Sequence, residues 1–419
     1  MATLVDSAIP RHRPIDELAR PDRTHVSIYS DPAIFAEEMD KIFHTTWVYV
    51  GHDSEVPNVG DYKTTYIGQV PVIVTRDEQG EIQVLTNRCS HRGATVCNRE
   101  KGKGASFICS YHGWEYGLDG SLLAVGLPRG YNPGELDFAS LGLARAPRVG
   151  SYRGFIFASL KPEGRSLDEH LGAAKPYIDA YVDLSPEGEL IVGQSGVNRH
   201  SYRGNWKIQV EGSVEGYHPT FTHSTAVEVM VRNGAAFPAN YQAQKLDGLD
   251  LGNGHSLLQL YSMPDEGVER RYPPGHIAAL VERLGRERAY ECMRNRWNLV
   301  IFPNLAILEY QIREIRPVAV DQTEVRLHHT LLKGALPEVN QRRVREHEFF
   351  YGPASFGGPD DYVIFDRIQE GYRADNVPWV LLNRGYLSET VENGIRKGQH
   401  TQETIQRAPY YEYRRLMEV

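Results

Sequence analysis

The chain has 419 residues, 41% of them hydrophobic and 24% charged, which excludes a disordered chain and, at roughly 100–200 residues per domain, leaves room for two or three domains. A net charge of −8 without any basic block argues against a nucleic-acid surface. No apolar run reaches the length of a signal-peptide core or a membrane span, so a cytoplasmic location is expected.

Asp31-Pro32 reads as an N-cap followed by an N1 proline, and Phe35, Met39, Ile42 and Phe43 then recur at helical spacing, which predicts an amphipathic helix. From Trp47 to Leu160 the texture changes to short apolar or alternating runs at 70–75, 82–86 and 155–160, separated by turns such as Asp77-Glu78-Gln79-Gly80. That texture predicts a small all-β domain. Beyond Lys161-Pro162-Glu163-Gly164, helical patterns at 166–182, 276–295 and 362–373 mix with strand-like runs at 298–302 and 305–318, which predicts an α+β domain built on an antiparallel sheet. The expected division is an N-terminal helical segment over 1–44 that packs on the last domain, a β domain over 45–162 and an α+β domain over 163–419. The tail from Tyr386 onward is charged and aromatic, with Arg407, Tyr410, Tyr411, Tyr413 and Met417, and is expected to pack on the body. No internal repeat or low-complexity segment interrupts the chain.

The four cysteines, Cys89, Cys97, Cys109 and Cys292, are too few for a disulfide scaffold and point instead to metal or redox use. Two of them fall in Asn87-Arg88-Cys89-Ser90-His91-Arg92-Gly93 and Cys109-Ser110-Tyr111-His112-Gly113-Trp114, spaced C-x-H-x17-C-x2-H. Each half holds one Cys and one His, an inventory that suits either structural zinc or a His2Cys2 iron–sulfur cluster. Zinc fingers commonly pair Cys with Cys and His with His, whereas mixed pairs suit a cluster to which each loop gives one ligand per iron. With Gly93 and Gly113-Trp114 in place, the pattern closely resembles the Rieske motif. The resemblance implies a [2Fe–2S] cluster with Cys89 and Cys109 on one iron and His91 and His112 on the other, its potential above that of an all-thiolate cluster. Cys97 and Cys292 lie outside the motif and read as small buried hydrophobes.

A second constellation follows Asn205-Trp206-Lys207, where Glu211, Glu215 and His218 fall at i, i+4 and i+7 on one helical face. His218 and His223 are about 140° apart on an ideal helix, so both reach one metal only where the helix breaks, and Pro219 supplies a break. Spacing alone leaves them open to being core or surface histidines. The string N-W-K, an acidic residue and Y-H-x4-H, placed after a Rieske motif, resembles the mononuclear iron motif of Rieske non-haem iron aromatic ring-hydroxylating oxygenase alpha subunits. The resemblance runs from about Ile28 to Met417 and takes in Arg384-Gly385-Tyr386 and Arg407-Ala408-Pro409-Tyr410. In that family a 2-His-1-carboxylate triad holds the iron, which implies His218 and His223 as ligands with a carboxylate from the Gly352–Asp361 stretch. The motif register favours Asp361 as the ligand and Asp360 as a helix cap, and the reverse assignment also stands. Glu215 occupies the place of the family's usual bridging Asp, which implies that it links His218 to His112 of a neighbouring subunit for electron transfer. Gly212 replaces a usual Asn.

The resemblance further implies the catalytic alpha subunit of a dioxygenase, with a small all-β Rieske domain and a larger α+β domain whose central antiparallel sheet is covered by helices in a START-like helix-grip arrangement. It implies cis-dihydroxylation of an aromatic, carboxylated substrate at mononuclear Fe(II), with electrons from NAD(P)H through a separate reductase or ferredoxin, in a homotrimeric ring with or without a beta subunit. Glu215 also resembles the bridge of quaternary-amine oxygenases, so a monooxygenase or demethylase acting on a non-arene is the alternative. A Rieske electron carrier without oxygen chemistry and a zinc-stabilised binding protein are the readings from other classes; chain length counts against the first and the mixed Cys/His pairs against the second. A carboxylate substrate calls for a buried guanidinium, and Arg313 before Arg316-Pro317 is either that clamp or one half of a surface ion pair.

Overall fold

The computed structural model describes residues 13–232 and 244–418. Asp31 caps the helix Pro32–Glu38 through the amide of Ala33, as the N-cap and N1 proline predict, and the helix runs on into a wider π turn over Met39–Phe43. Ile34, Phe35, Met39, Ile42 and Phe43 face the core. At its end Glu38 is fully buried and accepts from Trp206 Nε1 and Tyr413 Oη, both at 2.8 Å, while pairing with Lys207. The N-W-K string is thus a structural clasp. Asn205 caps the helix Trp206–Gly212, and Trp206 and Lys207 bind the N-terminal helix to it.

The β segment forms three antiparallel sheets. One runs in the order Ile82–Thr86, Val70–Arg76, Asp61–Ile67, Lys101–Lys103; the second Leu122–Ala124, Glu115–Gly117, Ser106–Ile108; the third Arg148–Tyr152, Phe155–Ser159, Val48–His52. Asp77 and Gly80 make the tight turn read from the sequence: Asp77 Oδ1 accepts from the amides of Gln79 and Glu81, and Gly80 takes φ +84.

Nine antiparallel strands build the larger sheet, in the order Leu190–Tyr202, Gln322–Leu332, Gln311–Ala319, Leu305–Leu308, Asn295–Ile301, His255–Ser262, Asp247–Gly252, Ile395–Gln399, Thr390–Glu392. The fold is therefore the α+β class expected, with boundaries that differ in detail. The run expected as one strand over 305–318 is two, turned at Glu309-Tyr310. The helix expected over 276–295 is Pro274–Leu284 and Arg286–Arg294, divided by Gly285 at φ +77, and that over 166–182 is divided at Gly172. The tail forms the helix Thr404–Met417, which lies across the strands Asp247–Gly252 and His255–Ser262 and buries Ile405, Ala408, Tyr410, Tyr413 and Met417.

The two faces of the sheet meet different partners. On one, Glu314 and His328 meet Lys63, Glu55 and Thr65 of the β segment: Lys63 Nζ lies 2.9 Å from Glu55 and 3.9 Å from Glu314, and His328 Nε2 lies 3.6 Å from Glu314. The other face lies beneath the helices Pro337–Tyr351 and Gly358–Gly371.

Candidate metal centres

The two Cys/His loops are built alike. The Cys89 amide donates to Ala94 O (2.8 Å) and Gly93 N to Cys89 O (2.9 Å); the Cys109 amide donates to Trp114 O (2.8 Å) and Gly113 N to Cys109 O (2.9 Å). Both glycines sit at positive φ, +77 and +68, where a side chain is strained. Each loop so closed buries its cysteine and leaves its histidine half-buried, with the two imidazole rings 4.6 Å apart and His91 stacked on Trp114 at 5.0 Å. Burial pushes the Cys89 thiol up, but hydrogen bonds from the Tyr116 hydroxyl and the backbone amides of His91 and Arg92, together with Cys109, bring it below its ordinary value and favour the thiolate. His112 is held below its ordinary value by desolvation and by His91 and Arg92, which keeps the imidazole neutral. The tight groups that fit one ion among the described residues, with ligand atoms within 4.8 Å of one another, lie elsewhere. One thiol and one imidazole from each of two like-built loops is the donor set of a Rieske two-iron cluster. Cys97 is half-buried and Cys292 buried, and burial pushes both thiols up to about 12, as expected of inert cysteines.

One of the tight groups is His218, His223 and Asp361. The helix Trp206–Gly212 ends well before Pro219, so the helical face expected to carry Glu211, Glu215 and His218 is not formed. Glu211 turns to Tyr29 and Tyr410, where burial pushes its carboxyl up to about 7. Pro219 starts a helix rather than breaking one: His218 is the N-cap and Pro219 the N1 residue of Pro219–Thr222, and His223 follows at its end. One short turn thereby aims both rings the same way, 5.3 Å apart. Asp361 enters from the first turn of Gly358–Gly371, with Oδ1 3.0 Å from His223 Nε2 and 3.6 Å from His218 Nε2. Asp360 does not cap that helix, whose N-cap is Gly357; its Oδ2 is 3.8 Å from His223 Nδ1 on the distal side of the ring. Two imidazole nitrogens and a carboxylate oxygen converging from two chain segments form a donor set that fits a 2-His-1-carboxylate metal site, a type that keeps open positions for O2 and substrate.

Glu215 Oε2 lies 3.6 Å from His218 Nδ1. Burial pulls His218 down, but the Glu215 and Asp361 carboxylates outweigh it and leave His218 above its ordinary value. The Asn-to-Gly departure has a local reason: a Cβ at Gly212 would sit 2.8 Å from the ring of Phe365, which fills that space. Arg313 does not belong to a surface ion pair. It is 4% exposed, its guanidinium lies 4.9 Å over the Tyr351 ring, and it makes no ion pair among the described residues. The second tight group, His329, His347 and Glu348, has no counterpart in the sequence reading, because its members come from a strand and from the helix that packs on it and share no motif.

Residues 46–130 match the family model for a Rieske [2Fe-2S] domain and residues 177–418 that for the ring hydroxylating alpha subunit catalytic domain. The chain is 37% identical over 398 residues to the anthranilate 1,2-dioxygenase large subunit of Acinetobacter baylyi, covering 89% of this chain and 82% of that one. It is 34% identical to the 2-halobenzoate 1,2-dioxygenase large subunit of Burkholderia cepacia, covering 90% and 83%. A solved structure of naphthalene 1,2-dioxygenase from Rhodococcus sp. bound to indole superposes with a TM-score of 0.85 at 28% identity, over 94% of each chain. The protein belongs to the Rieske-type aromatic ring-hydroxylating dioxygenases, as an alpha subunit. Its cofactors are a Rieske [2Fe–2S] cluster and a mononuclear iron, with electrons drawn from NAD(P)H through a separate reductase, and alpha subunits of this family oligomerise. No helix among the described residues is long and apolar enough to cross a membrane.

Proposed function

We propose that this chain catalyses cis-dihydroxylation of an aromatic carboxylate, with Cys89, His91, Cys109 and His112 holding the cluster and His218, His223 and Asp361 holding the iron. The observation that carries the reading is the convergence of His218 Nε2, His223 Nε2 and Asp361 Oδ1, with the rest of the donor set supplied by two like-built Cys/His loops. When bound, the iron supplies O2 activation and the cluster supplies the electrons. The protein's own contribution is positional. The short turn at Pro219 and the first turn of Gly358–Gly371 fix three ligands on one side, and Glu215 steadies His218 through its distal nitrogen. The printed substrates of the relatives, anthranilate and 2-halobenzoate, are aromatic acids, which supports the substrate class.

Exposed apolar side chains near both centres in the sequence, Ile108 and Tyr111 beside the cluster loops and Phe221, Phe356 and Val363 beside the triad residues, suit a head-to-tail contact between copies, which a closed ring of three would satisfy. In such a ring Glu215, part-exposed beside His218, is placed to reach His112 of a neighbouring copy. The test is turnover of benzoate under 18O2 with a reductase: two labelled oxygens in a cis-diol support the proposal. One labelled oxygen, or release of a demethylated product from an amine and none from benzoate, transfers the site to the monooxygenase reading.

A further inference from the structure

We propose that Arg313 selects the substrate, its guanidinium taking the carboxylate of an aromatic acid in a two-bonded pair while the ring lies toward His218, His223 and Asp361. The inference rests on the reading of those three residues as the iron site. Along the strand Gln311–Ala319 side chains alternate: Glu314 points at Lys63 and Thr65 of the β segment, and Arg313 points the opposite way, under the helices Pro337–Tyr351 and Gly358–Gly371.

The other buried arginines show what a guanidinium inside this protein ordinarily finds. Arg296 lies 3.2 Å from Glu309, Arg326 lies 2.9 Å from Glu324, and Arg407 pairs with Glu389; Arg343 has no acid but donates to Thr330 O at 2.9 Å and Thr330 Oγ1 at 2.7 Å. Among the described residues Arg313 has the face and hydroxyl of Tyr351, a buried Nε with no partner, and no carboxylate in an ion pair with it. A buried cation of this kind is costly unless a counter-charge arrives. Among the described residues its neighbours do not provide one. Burial, with the nearby His329 and Arg313 itself, brings His347 down to about 3, and His200 is lowered as well, so both imidazoles are neutral. Asp361 is committed to His223 and His218.

Position links Arg313 to the reacting site. Tyr351 and Tyr362 feel the charges of both Arg313 and Asp361, and Phe350, next to Tyr351, lies 5.2 Å from the His223 ring. Arg313, Tyr351, Phe350 and His223 thus follow one another in contact, and a planar acid anchored at Arg313 would lie along that line toward the triad. The forked geometry of arginine matches a carboxylate in a way that lysine does not.

The test measures equilibrium binding of benzoate and of its neutral isostere benzamide to the purified holoenzyme by calorimetry, after iron content and the reduced Rieske spectrum are checked in each variant. Wild type is expected to favour benzoate by about tenfold or more, and Arg313→Met to lose about that factor for benzoate while changing benzamide by less than about twofold. Arg313→Lys, which keeps the charge without the fork, is expected to bind benzoate with intermediate affinity, and it keeps the question open to refutation where Arg313→Met does not accumulate as holoenzyme. Equal binding of the two compounds by wild type, an undiminished preference in the variants, or a parallel loss for both compounds overturns the proposal. Turnover is scored apart. Benzoate held through Arg313 but never oxidised leaves this inference standing and refutes the dioxygenase reading; oxidation without any carboxylate preference does the reverse.

Discussion

Asp360 and Asp361 are adjacent acids in the first turn of one helix, yet one is 9% exposed against two imidazoles and the other flanks His223 from outside. Asp361→Ala is expected to lose the mononuclear iron and lower turnover about 1,000-fold or more, while Asp360→Ala retains the metal; iron analysis with steady-state rates checks both. Glu215→Gln is expected to keep both metal centres and to slow turnover, measured as delayed reoxidation of the reduced Rieske signal in single-turnover mixing. Gly212→Asn restores the residue usual in the family but drives a Cβ onto Phe365, so it is expected to lower stability by about 1–3 kcal/mol, and Phe365→Ala in the same chain to recover part of that in thermal melts. At this scale the candidate donors were legible in the sequence, because Cys and His in a fixed frame leave few alternatives. Which of two neighbouring acids binds, and whether Arg313 is buried or at the surface, depends on contacts made across the fold, and no local pattern records them.

The elements explain where sequence periodicity misled. The i, i+4, i+7 set of Glu211, Glu215 and His218 predicts one helical face, but the helix stops at Gly212 and Pro219 opens a new one. Proline fits N1 as well as it breaks an interior, and a sequence carries both meanings. The strand Gln322–Leu332 carries no clear strand signal, since Arg326, His328 and His329 lie buried on it and blur the apolar alternation that marks a strand. The cluster loops depend on close backbone approach: a Cβ at Gly126 would stand 2.1 Å from the His112 carbonyl oxygen. Gly126→Ala is therefore expected to abolish the reduced Rieske signal while far-UV dichroism keeps most of its amplitude. Loss of the whole dichroic signal would show that the loop is needed for folding and not for the cluster alone.

Across the whole molecule, the large antiparallel sheet joins the parts, with the β segment on one face and the helices Pro337–Tyr351 and Gly358–Gly371 on the other. That the chain is α+β, with a β segment ahead of a larger domain, was legible from texture; the strand order was not, because pairing between distant segments leaves no local mark. Burial holds His52, His255 and His276 down to about 4, so the native state keeps them neutral while the unfolded chain takes up protons near pH 6.5. The unfolded state then binds more protons between about pH 6.5 and 4, and stability must fall as pH falls through that window, by roughly 2–3 kcal/mol for each group. Glu211 and Asp250, whose carboxyls burial raises, act in the opposite sense and cost stability as pH rises above their unfolded values, but His347, lowered to about 3, and His170 add to the three histidines. Melting temperatures measured by calorimetry from pH 7.5 down to 5 are expected to decline; a flat or rising profile would count against neutral buried histidines.

The two-centre account meets its most direct test in a metal count. Protein purified without oxygen and reconstituted with Fe(II) should carry about three irons and about two acid-labile sulfides per chain, with a Rieske-type EPR signal on reduction. About two irons and about two sulfides under the same conditions would leave the cluster in place and contradict the site formed by His218, His223 and Asp361.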